Sequence, residues 1–477
     1  MDLQHKNIHV IGVSGAEGSA VALFLASKVD EKNLTMHDFS SESEFKENFF
    51  SFHDAYTVDE KEALYQNLIS LKVHYAFGDD YLQGIETADI IFVPQAWFRH
   101  AINEPLKQYA DTFSSIIALY LQYAKCPVVG ITGTSGKSTT SALTYQMIKE
   151  SGRKVLLTGN ERHVKQCLDD VEALAEDDAL VLEISHRQLM LDLKKSPHIA
   201  VITNISPNHI DDCGTFETYT DIKKSIVAYQ KENDVFITNY DNKVTQDIVS
   251  LGERRFFSRK TRQKNGAYVE NDLLIIEREG KKQAVCSVDE IGLSGGYNVE
   301  NTLAASLAAS ALGVEVEPIA RAAKKFTPLS ARLEKIRELK GVTYINDGKS
   351  SNPEAVIGAL EALEKPVILI AGGTRKVPIE GEYEKLAEGI VGSTVKNVIL
   401  IGATKEEVAN ALQKMSTSKD IQIVTAGSLQ EAVLNAYGLA EEGDVVLLSP
   451  GAESFDMFTD YRERIDIFNE AVNGLPS

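Results

Sequence analysis

Cysteine is scarce in this chain: Cys126, Cys167, Cys213 and Cys286 are the four among 477 residues, widely spaced and with no CxxC pair. A disulfide framework and a structural zinc site are therefore not expected, and buried thiols in a reducing compartment are. Long apolar runs are missing too. None reaches the ~18 residues that a membrane span needs, and the N-terminus has neither a basic segment nor a signal-like core, so the chain reads as cytoplasmic with no membrane span. Basic residues are outnumbered, 49 Lys+Arg against 69 Asp+Glu, for a formal net charge of −20. Such a field repels a polyanionic duplex and argues against a nucleic-acid partner, although one local loop can still hold a small anion. Low-complexity tracts and repeats of solenoid period are absent as well.

What is present centres on Val128-Val-Gly-Ile-Thr-Gly-Thr-Ser-Gly-Lys-Ser-Thr-Thr140, an apolar strand leading into a glycine-rich turn and then a helix beginning near Lys137. The stretch Gly133, Thr134, Ser135, Gly136, Lys137, Ser138 and Thr139 has the make-up of a phosphate cradle. Gly133 and Gly136 let successive N–H groups face one anion, Lys137 adds a point charge, and the helix adds the positive end of its dipole. Ser138 is placed to hold Mg²⁺ on a nucleotide. The full GxxxxGK(S/T) spacing would need glycine where Ile131 stands, so the match is to a shorter GTxGKS form.

The length suggests about three domains, and the pattern of elements predicts an α/β fold throughout. We expect a Rossmann-like N-terminal domain over 1–125, a P-loop central domain with a mostly parallel sheet over 126–327, and a Rossmann-like C-terminal domain over 328–477. The first opens with strand Ile8-His-Val-Ile, glycines at 12, 15 and 18, and a helix around Ala20–Ala26. A second strand, Leu34–Met36, ends at Asp38, where an acid often meets a ribose hydroxyl; an ordinary strand-to-helix turn explains the pattern too. Residues 41–75 carry no assignable pattern, and strand Ile90–Val93 precedes a predicted helix from Glu104 to Tyr123. The central segment predicts strands Lys154–Thr158, Leu180–Ile184 and Ile199–Asn204, a helical stretch near His163–Ala175, a hairpin over Ala267–Ser287 and an alanine-rich helix from Asn298 to Leu312. The last segment predicts strands Val342–Ile345, Val367–Ala371, Val398–Ile401, Ile421–Val424 and Val445–Leu448, whose polar C-terminal ends are where ligands of such sheets bind.

Several residues at these ends could carry chemistry. Glu183 closes an apolar strand where a carboxylate could meet a metal, or be a strand-end acid in solvent. His209 follows another strand, where a histidine could ligate a second Mg²⁺ or be structural. Lys223 and Lys224, taken singly, read as a solvated face. Asp347, Lys349 and Lys376 sit at strand ends, where a lysine could neutralise charge developing in phosphoryl transfer.

Together these stretches resemble the Mur ligase family of ATP-dependent enzymes that add amino acids to a UDP-linked cell-wall precursor. Gly133–Ser138 resembles the family's GTxGK(S/T) loop, Glu183 its strand-end acid, Asn204–His209 its NxxxxH segment, and Asn298 with Asn301 its asparagine helix. Ile345-Asn-Asp-Gly-Lys-Ser-Ser-Asn-Pro353, Ala371-Gly-Gly-Thr-Arg-Lys376 and Leu448-Ser-Pro-Gly-Ala-Glu-Ser-Phe-Asp-Met-Phe458 are most similar to the branch that joins D-glutamate to UDP-N-acetylmuramoyl-L-alanine. The resemblance implies phosphorylation of the precursor carboxylate by ATP, then attack of the amine on the acyl phosphate. It implies Lys137 and loop amides on the transferring phosphoryl group, Ser138 and Glu183 on one Mg²⁺, His209 on a second, and Lys223 as a carbamylated, metal-bridging lysine. It further implies Asn298 and Asn301 at the adenine, Arg332 at the phosphates, Asp347 at the ribose and Lys349 at the acyl phosphate. Ser351, Lys376, Ser454 and Phe455 would surround the amino acid, and Ser14, Gly15, Asp38 and Asn160 the precursor. A monomer, with a hinge at Phe326–Ser330, completes the implied picture.

Three segments depart from that branch, all on the precursor side: Ile184-Ser-His-Arg-Gln-Leu189, Gly159-Asn-Glu-Arg162 and Val93-Pro-Gln-Ala-Trp97. The alternatives are therefore a different acceptor or precursor, such as L-glutamate or a longer peptide precursor, and a nucleotide-binding regulator that kept the loop without ligation. The joint presence of Lys137, Glu183, His209, Lys223 and Lys349 argues against the last.

Overall fold

The structure is a computed structural model that describes residues 3–160, 164–375, 381–415 and 421–476. Among the described residues the strands form three sheets. The first contains β1 (Ile8–Ile11), β2 (Leu34–Asp38), β3 (His74–Phe77), β4 (Ile90–Phe92) and β5 (Phe113–Ser114) in the order β3-β2-β1-β4-β5, all parallel. The second contains β6 (Val128–Thr132), β7 (Val155–Gly159), β8 (Ala179–Glu183), β9 (Ile199–Ile202), β10 (Val235–Asn239), β11 (Glu253–Ser258), β12 (Gly266–Glu270), β13 (Leu273–Arg278) and β14 (Lys281–Ser287). Its order is β14-β13-β12-β11-β10-β9-β6-β8-β7, so β6 lies where the winding reverses, the place where ligands enter such sheets. The third contains β15 (Glu334–Leu339), β16 (Val342–Asn346), β17 (Val367–Gly372), β18 (Val395–Ile401), β19 (Gln422–Thr425) and β20 (Val445–Leu448), ordered β15-β16-β20-β17-β18-β19.

Burial explains why the parallel strands read as continuous apolar runs. In β17 Val367, Leu369 and Ala371 enter one core, and Ile368 and Ile370 enter the core on the opposite face. A strand covered on both sides has no polar side to alternate with. Helix Gly296–Ala311 buries Ala304, Ala305, Ala308 and Ala309 completely, as small residues allow at a close approach.

The chain divides into two compact units: Met1–Ile205 with Glu217–Val285 and Leu303–Ala322, and Ser206–Phe216 with Cys286–Thr302 and Ala323–Ser477. The first two sheets share the first unit. Polar side chains join them: Lys28 to Glu172, Lys165 to Glu60, and Tyr120 Oη to Gln166 Oε1 at 2.9 Å.

Several local expectations give way. Residues 41–75 contain two helices, Glu42–Ser51 and Val58–Ile69, each opened by a capping box, Ser41 with Glu44 and Thr57 with Glu60. In place of one helix over Glu104–Tyr123 there is a 3₁₀ segment, Ala101–Thr112, then β5, then helix Ile116–Tyr123, because Pro105 removes a donor and Ser115 caps a new start at Ala118 N. Of the helical stretch His163–Ala175 only Leu168–Glu172 is helical, and His163 lies outside the described residues. The hairpin is a three-stranded meander, and β3, β5, β10, β11 and β15 have no counterpart in the sequence pattern, β15 because it is largely polar. Cys126 and Cys286 are buried, while Cys167 and Cys213 are half-buried.

The meander carries one strong polar lock. Arg262 donates through Nε and Nη2 to Glu277, both at 2.9 Å, and Tyr268 donates to the same carboxylate at 2.7 Å. Arg262 first, then Tyr268, holds Glu277 down at about 2. A depressed carboxyl stabilises the fold above its ordinary value and loses that effect as pH falls through the folded one. Glu277→Gln is expected to lower the urea midpoint at pH 7, with the gap to the parent protein closing between about pH 4.5 and 2, followed by denaturation at stepped pH.

Candidate functional site

In the first unit the loop after β6 is shaped by its neighbours. Gly133 has φ +152°, and a Cβ there would stand 1.9 Å from Thr203 Oγ1, so only glycine fits. Gly136, at φ +81°, caps helix Lys137–Glu150. Asn204 closes the loop from the side: its carbonyl accepts from Thr134 N at 2.9 Å, its Oδ1 from Ser135 N at 3.0 Å, and its Nδ2 donates to Ser135 O at 3.2 Å. Thr134 Oγ1 lies 3.1 Å from Tyr219 Oη. Lys137 folds over the loop, its Nζ donating to Gly133 O and Thr134 O at 3.0 Å each. Ser138 and Thr139 are buried in the first helical turn.

Glu183 ends β8 in register with Ile131 of β6, two residues before Gly133, and is 1% exposed. Its Oε1 accepts from Asn160 Nδ2 at 2.7 Å, and its Oε2, buried, has no hydrogen-bond partner. A buried carboxylate oxygen left open in this way fits a divalent cation. Asn160, expected on the precursor side, thus braces the acid.

Lys223 overturns its solvated reading. It is 1% exposed and donates to Thr132 Oγ1 at 2.9 Å, while Lys224 remains outside with Asp221. The helix Phe216–Lys224 turns Tyr219, Thr220 and Lys223 inward, a one-sided burial that two adjacent lysines hide in a linear reading.

In the first sheet, Ser14 and Asp38 are both buried. Asp38 Oδ2 accepts from Ser14 N at 2.7 Å, and Oδ1 from Ser40 N at 3.1 Å and from the Ser40 hydroxyl. Asp38 therefore braces the turn containing Ser14 and Gly15 with one oxygen and the loop after its own strand, through Ser40, with the other.

The second unit holds the remaining candidates. His209 takes φ +53° at the start of Ile210–Cys213, with Nδ1 4.0 Å from Asp212. Asn298 and Asn301 are buried and linked, Asn301 Nδ2 donating to Asn298 Oδ1 at 3.2 Å. Arg332 stands between Ala331 and Leu333, which take φ +54° and +51°, a strained backbone of the kind kept at working sites. Asp347 is bound by Leu333 N at 3.2 Å, Ser449 Oγ at 2.8 Å and the Ser350 hydroxyl, yet burial raises its carboxyl to about 6. Tyr297, whose phenol burial pushes far up, feels both Asp347 and Arg332.

Two arginines that the sequence reading passed over tie together the loops carrying Lys349, Ser351, Ser454 and Phe455. Arg464, fully buried on helix Tyr461–Asn473, donates to Gly348 O at 2.9 Å and Ala452 O at 3.1 Å. Arg375 donates to Ser351 O at 2.7 Å and Gly451 O at 2.8 Å and pairs with buried Glu382. Each guanidinium thus holds one carbonyl from each loop. Arg375 had a signal, its place in Gly-Gly-Thr-Arg; Arg464 had none in a helix otherwise typical of a surface. Ser454 is buried and Phe455 is half exposed. Lys376 lies outside the described residues.

Residues 131–309 match the Mur ligase middle domain and residues 331–451 the Mur ligase, glutamate ligase domain. The chain is 37% identical over 429 residues to the UDP-N-acetylmuramoylalanine–D-glutamate ligase of Thermoanaerobacter sp. (strain X514), covering 88% of this chain and 92% of that one. It is 34% identical over 483 residues to the enzyme of that name from Ruminiclostridium cellulolyticum, covering 99% and 98%. In fold it is similar to a pseudomurein peptide ligase type C from Methanothermus fervidus, with TM-score 0.60, 20% identity and coverage of 98% and 99%. It is also similar to the MurF ligase of Thermotoga maritima in complex with ADP, with TM-score 0.57, 20% identity and coverage of 87% and 92%.

Gly133→Ala tests the loop. The added methyl must displace Thr203, which also donates to Ser135 O at 2.5 Å. We expect a stability loss of roughly 1–3 kcal/mol and ADP binding weakened at least about tenfold, some 1.4 kcal/mol, by calorimetric titration.

Proposed function

This chain belongs to the Mur ligase family, and we propose that it joins D-glutamate to UDP-N-acetylmuramoyl-L-alanine in an ATP-dependent reaction of peptidoglycan precursor synthesis. The observation that carries this reading is Glu183, buried beside a phosphate loop and keeping one carboxylate oxygen without a protein partner. Such an oxygen suits a cation-dependent phosphoryl transfer, and the acceptor is that in the names of the relatives.

In the first step a precursor carboxylate oxygen bonds to the γ-phosphorus of ATP and ADP leaves. Lys137 and the loop amides would meet the charge on the transferring group, as preorganised donors do best. In the second step the amine of the amino acid bonds to the acyl carbon, phosphate leaves and the nitrogen gives up a proton. Mg²⁺, when bound, would supply charge neutralisation at the phosphates. Ser138 and Glu183 would hold one ion and His209 would help hold another. Lys223, carbamylated, would present a carboxylate: its neutral amine adds CO₂ and releases one proton, and the side chain is buried against Thr132.

Asn298 and Asn301 are assigned to the adenine, Arg332 to the phosphates, Asp347 to the ribose and Lys349 to the acyl phosphate. Ser351, Lys376, Ser454 and Phe455 are assigned to D-glutamate. Ser14 and Gly15, braced by Asp38, are assigned to the precursor with Asn160. The division into 1–125, 126–327 and 328–477, a monomeric state and a cytoplasmic location belong to the same proposal. Among the described residues no helix is long and apolar enough to cross a membrane.

Phosphate release with ATP, Mg²⁺ and UDP-N-acetylmuramoyl-L-alanine is expected to require D-glutamate. Release with L-glutamate would change the acceptor, and release independent of any amino acid would refute ligation. Lys223→Ala is expected to lower turnover at least about a hundredfold, on the order of 2.7 kcal/mol, with partial recovery in added short carboxylic acids. Full activity in that variant would refute the carbamate.

A further inference from the structure

Two of the three precursor-side departures in sequence, Val93–Trp97 and Ile184–Leu189, become neighbours in space. Glu17 stands in the first turn of helix Ala16–Ala26, directly after the Gly12–Gly15 turn. Its Oε2 accepts from Gln95 N at 2.8 Å, and its Oε1 from Gln188 Nε2 at 2.7 Å. Gln188 Oε1 in turn accepts from Ser185 N at 3.0 Å, Ser185 Oγ accepts from Gln188 N at 3.1 Å, and Ser185 Oγ donates to Gln95 Oε1 at 2.9 Å. Glu17, Gln95, Ser185 and Gln188 therefore close a ring of hydrogen bonds drawn from three distant segments. Gln95 belongs to Val93–Trp97, and Ser185 and Gln188 belong to Ile184–Leu189, both atypical segments.

The ring sits next to the metal-side strand end. Ser185 is two residues past Glu183, and the intervening Ile184 is held at both polar atoms: its N donates to Ile131 O at 2.8 Å and its O accepts from Thr132 Oγ1 at 2.7 Å. A shift of the Gly12–Gly18 turn must move Gln188 and Ser185, and with them the backbone that aims Glu183.

We propose that Glu17 is a positioning residue that locks the Gly12–Gly18 turn and the Val93–Trp97 segment onto the strand end carrying Glu183, so that the precursor seat and the metal-side acid are held as one piece. The precursor half of this statement rests on the functional reading above; the lock itself does not.

Hydrogen polarity supplies the test. In Glu17→Gln the new amide keeps an oxygen for Gln95 N–H, but its NH₂ faces the NH₂ of Gln188. Flipping Gln188 relieves that only by turning its NH₂ against Ser185 N–H. A second change, Gln188→Glu, provides a carboxylate that accepts from both. The full-length single and double variants would be compared by hydrogen exchange without ligands, then by kinetics. The single variant is expected to exchange several-fold faster in both 12–18 and 184–189, and the double variant to restore both. KM for UDP-N-acetylmuramoyl-L-alanine is expected to rise about tenfold in the single variant and recover in the double, with ADP affinity unchanged within about twofold. Faster exchange in only one of the two segments, or no recovery in the double variant, overturns the lock. Faster exchange in both with unchanged KM overturns its link to the precursor. A parent protein inert toward this precursor would refute the functional reading instead, and the exchange result alone would then decide the lock.

Discussion

The hydroxyl of Thr132 is the smallest group on which the first unit's site depends. It is fully buried at the end of β6, donates to Ile184 O at 2.7 Å and accepts from Lys223 Nζ at 2.9 Å. One oxygen thereby joins the strand that feeds the phosphate loop, the strand end that carries Glu183 and the helix that carries Lys223. A buried lysine is costly unless its donors are met, and this hydroxyl meets one of them. The same bond fixes where Lys223 sits relative to the loop, which any metal-bridging role requires.

The second unit solves a similar problem with charge. Loops at the ends of β16 and β20 carry Lys349, Ser351 and Ser454 and are tied to each other through their backbones. Arg464 and Arg375 bridge them through carbonyl oxygens. A guanidinium is rigid and planar, so two carbonyls bound to one fork cannot drift independently. Asp347, buried behind Ser350 and Ser449, gains rigidity from the same loops at the cost of a raised pKa.

Much of the architecture was legible because its signals are local. Doubly covered strands such as β6, β17 and β20 announce themselves as apolar runs, and a glycine-rich turn followed by Lys137 and Ser138 states its chemistry in one stretch. Misreadings fell where a local signal was weak or overridden. Amphipathic helices at 42–51 and 58–69 are rich in charge and aromatics, and the cue that would have found them is the capping pair, Ser41 with Glu44 and Thr57 with Glu60. Pro105 and Ser115 were the visible marks against one helix over 104–123.

By itself the sequence determined the glycine-rich loop with its lysine and serine, the α/β class, the doubly covered apolar strands and the identities of Glu183, Asp347 and Lys349 as strand-end groups. Each of these is set by residues adjacent in the chain, where spacing and backbone freedom carry the information. Only the tertiary structure decided that Lys223 is buried on Thr132, that Glu183 keeps one oxygen open, that Arg375 and Arg464 clasp two loops, and that Glu17 reaches Gln95 and Gln188. Burial and hydrogen-bond partnership belong to pairs of residues far apart in the chain, and no pattern along one segment encodes what its side chains will face.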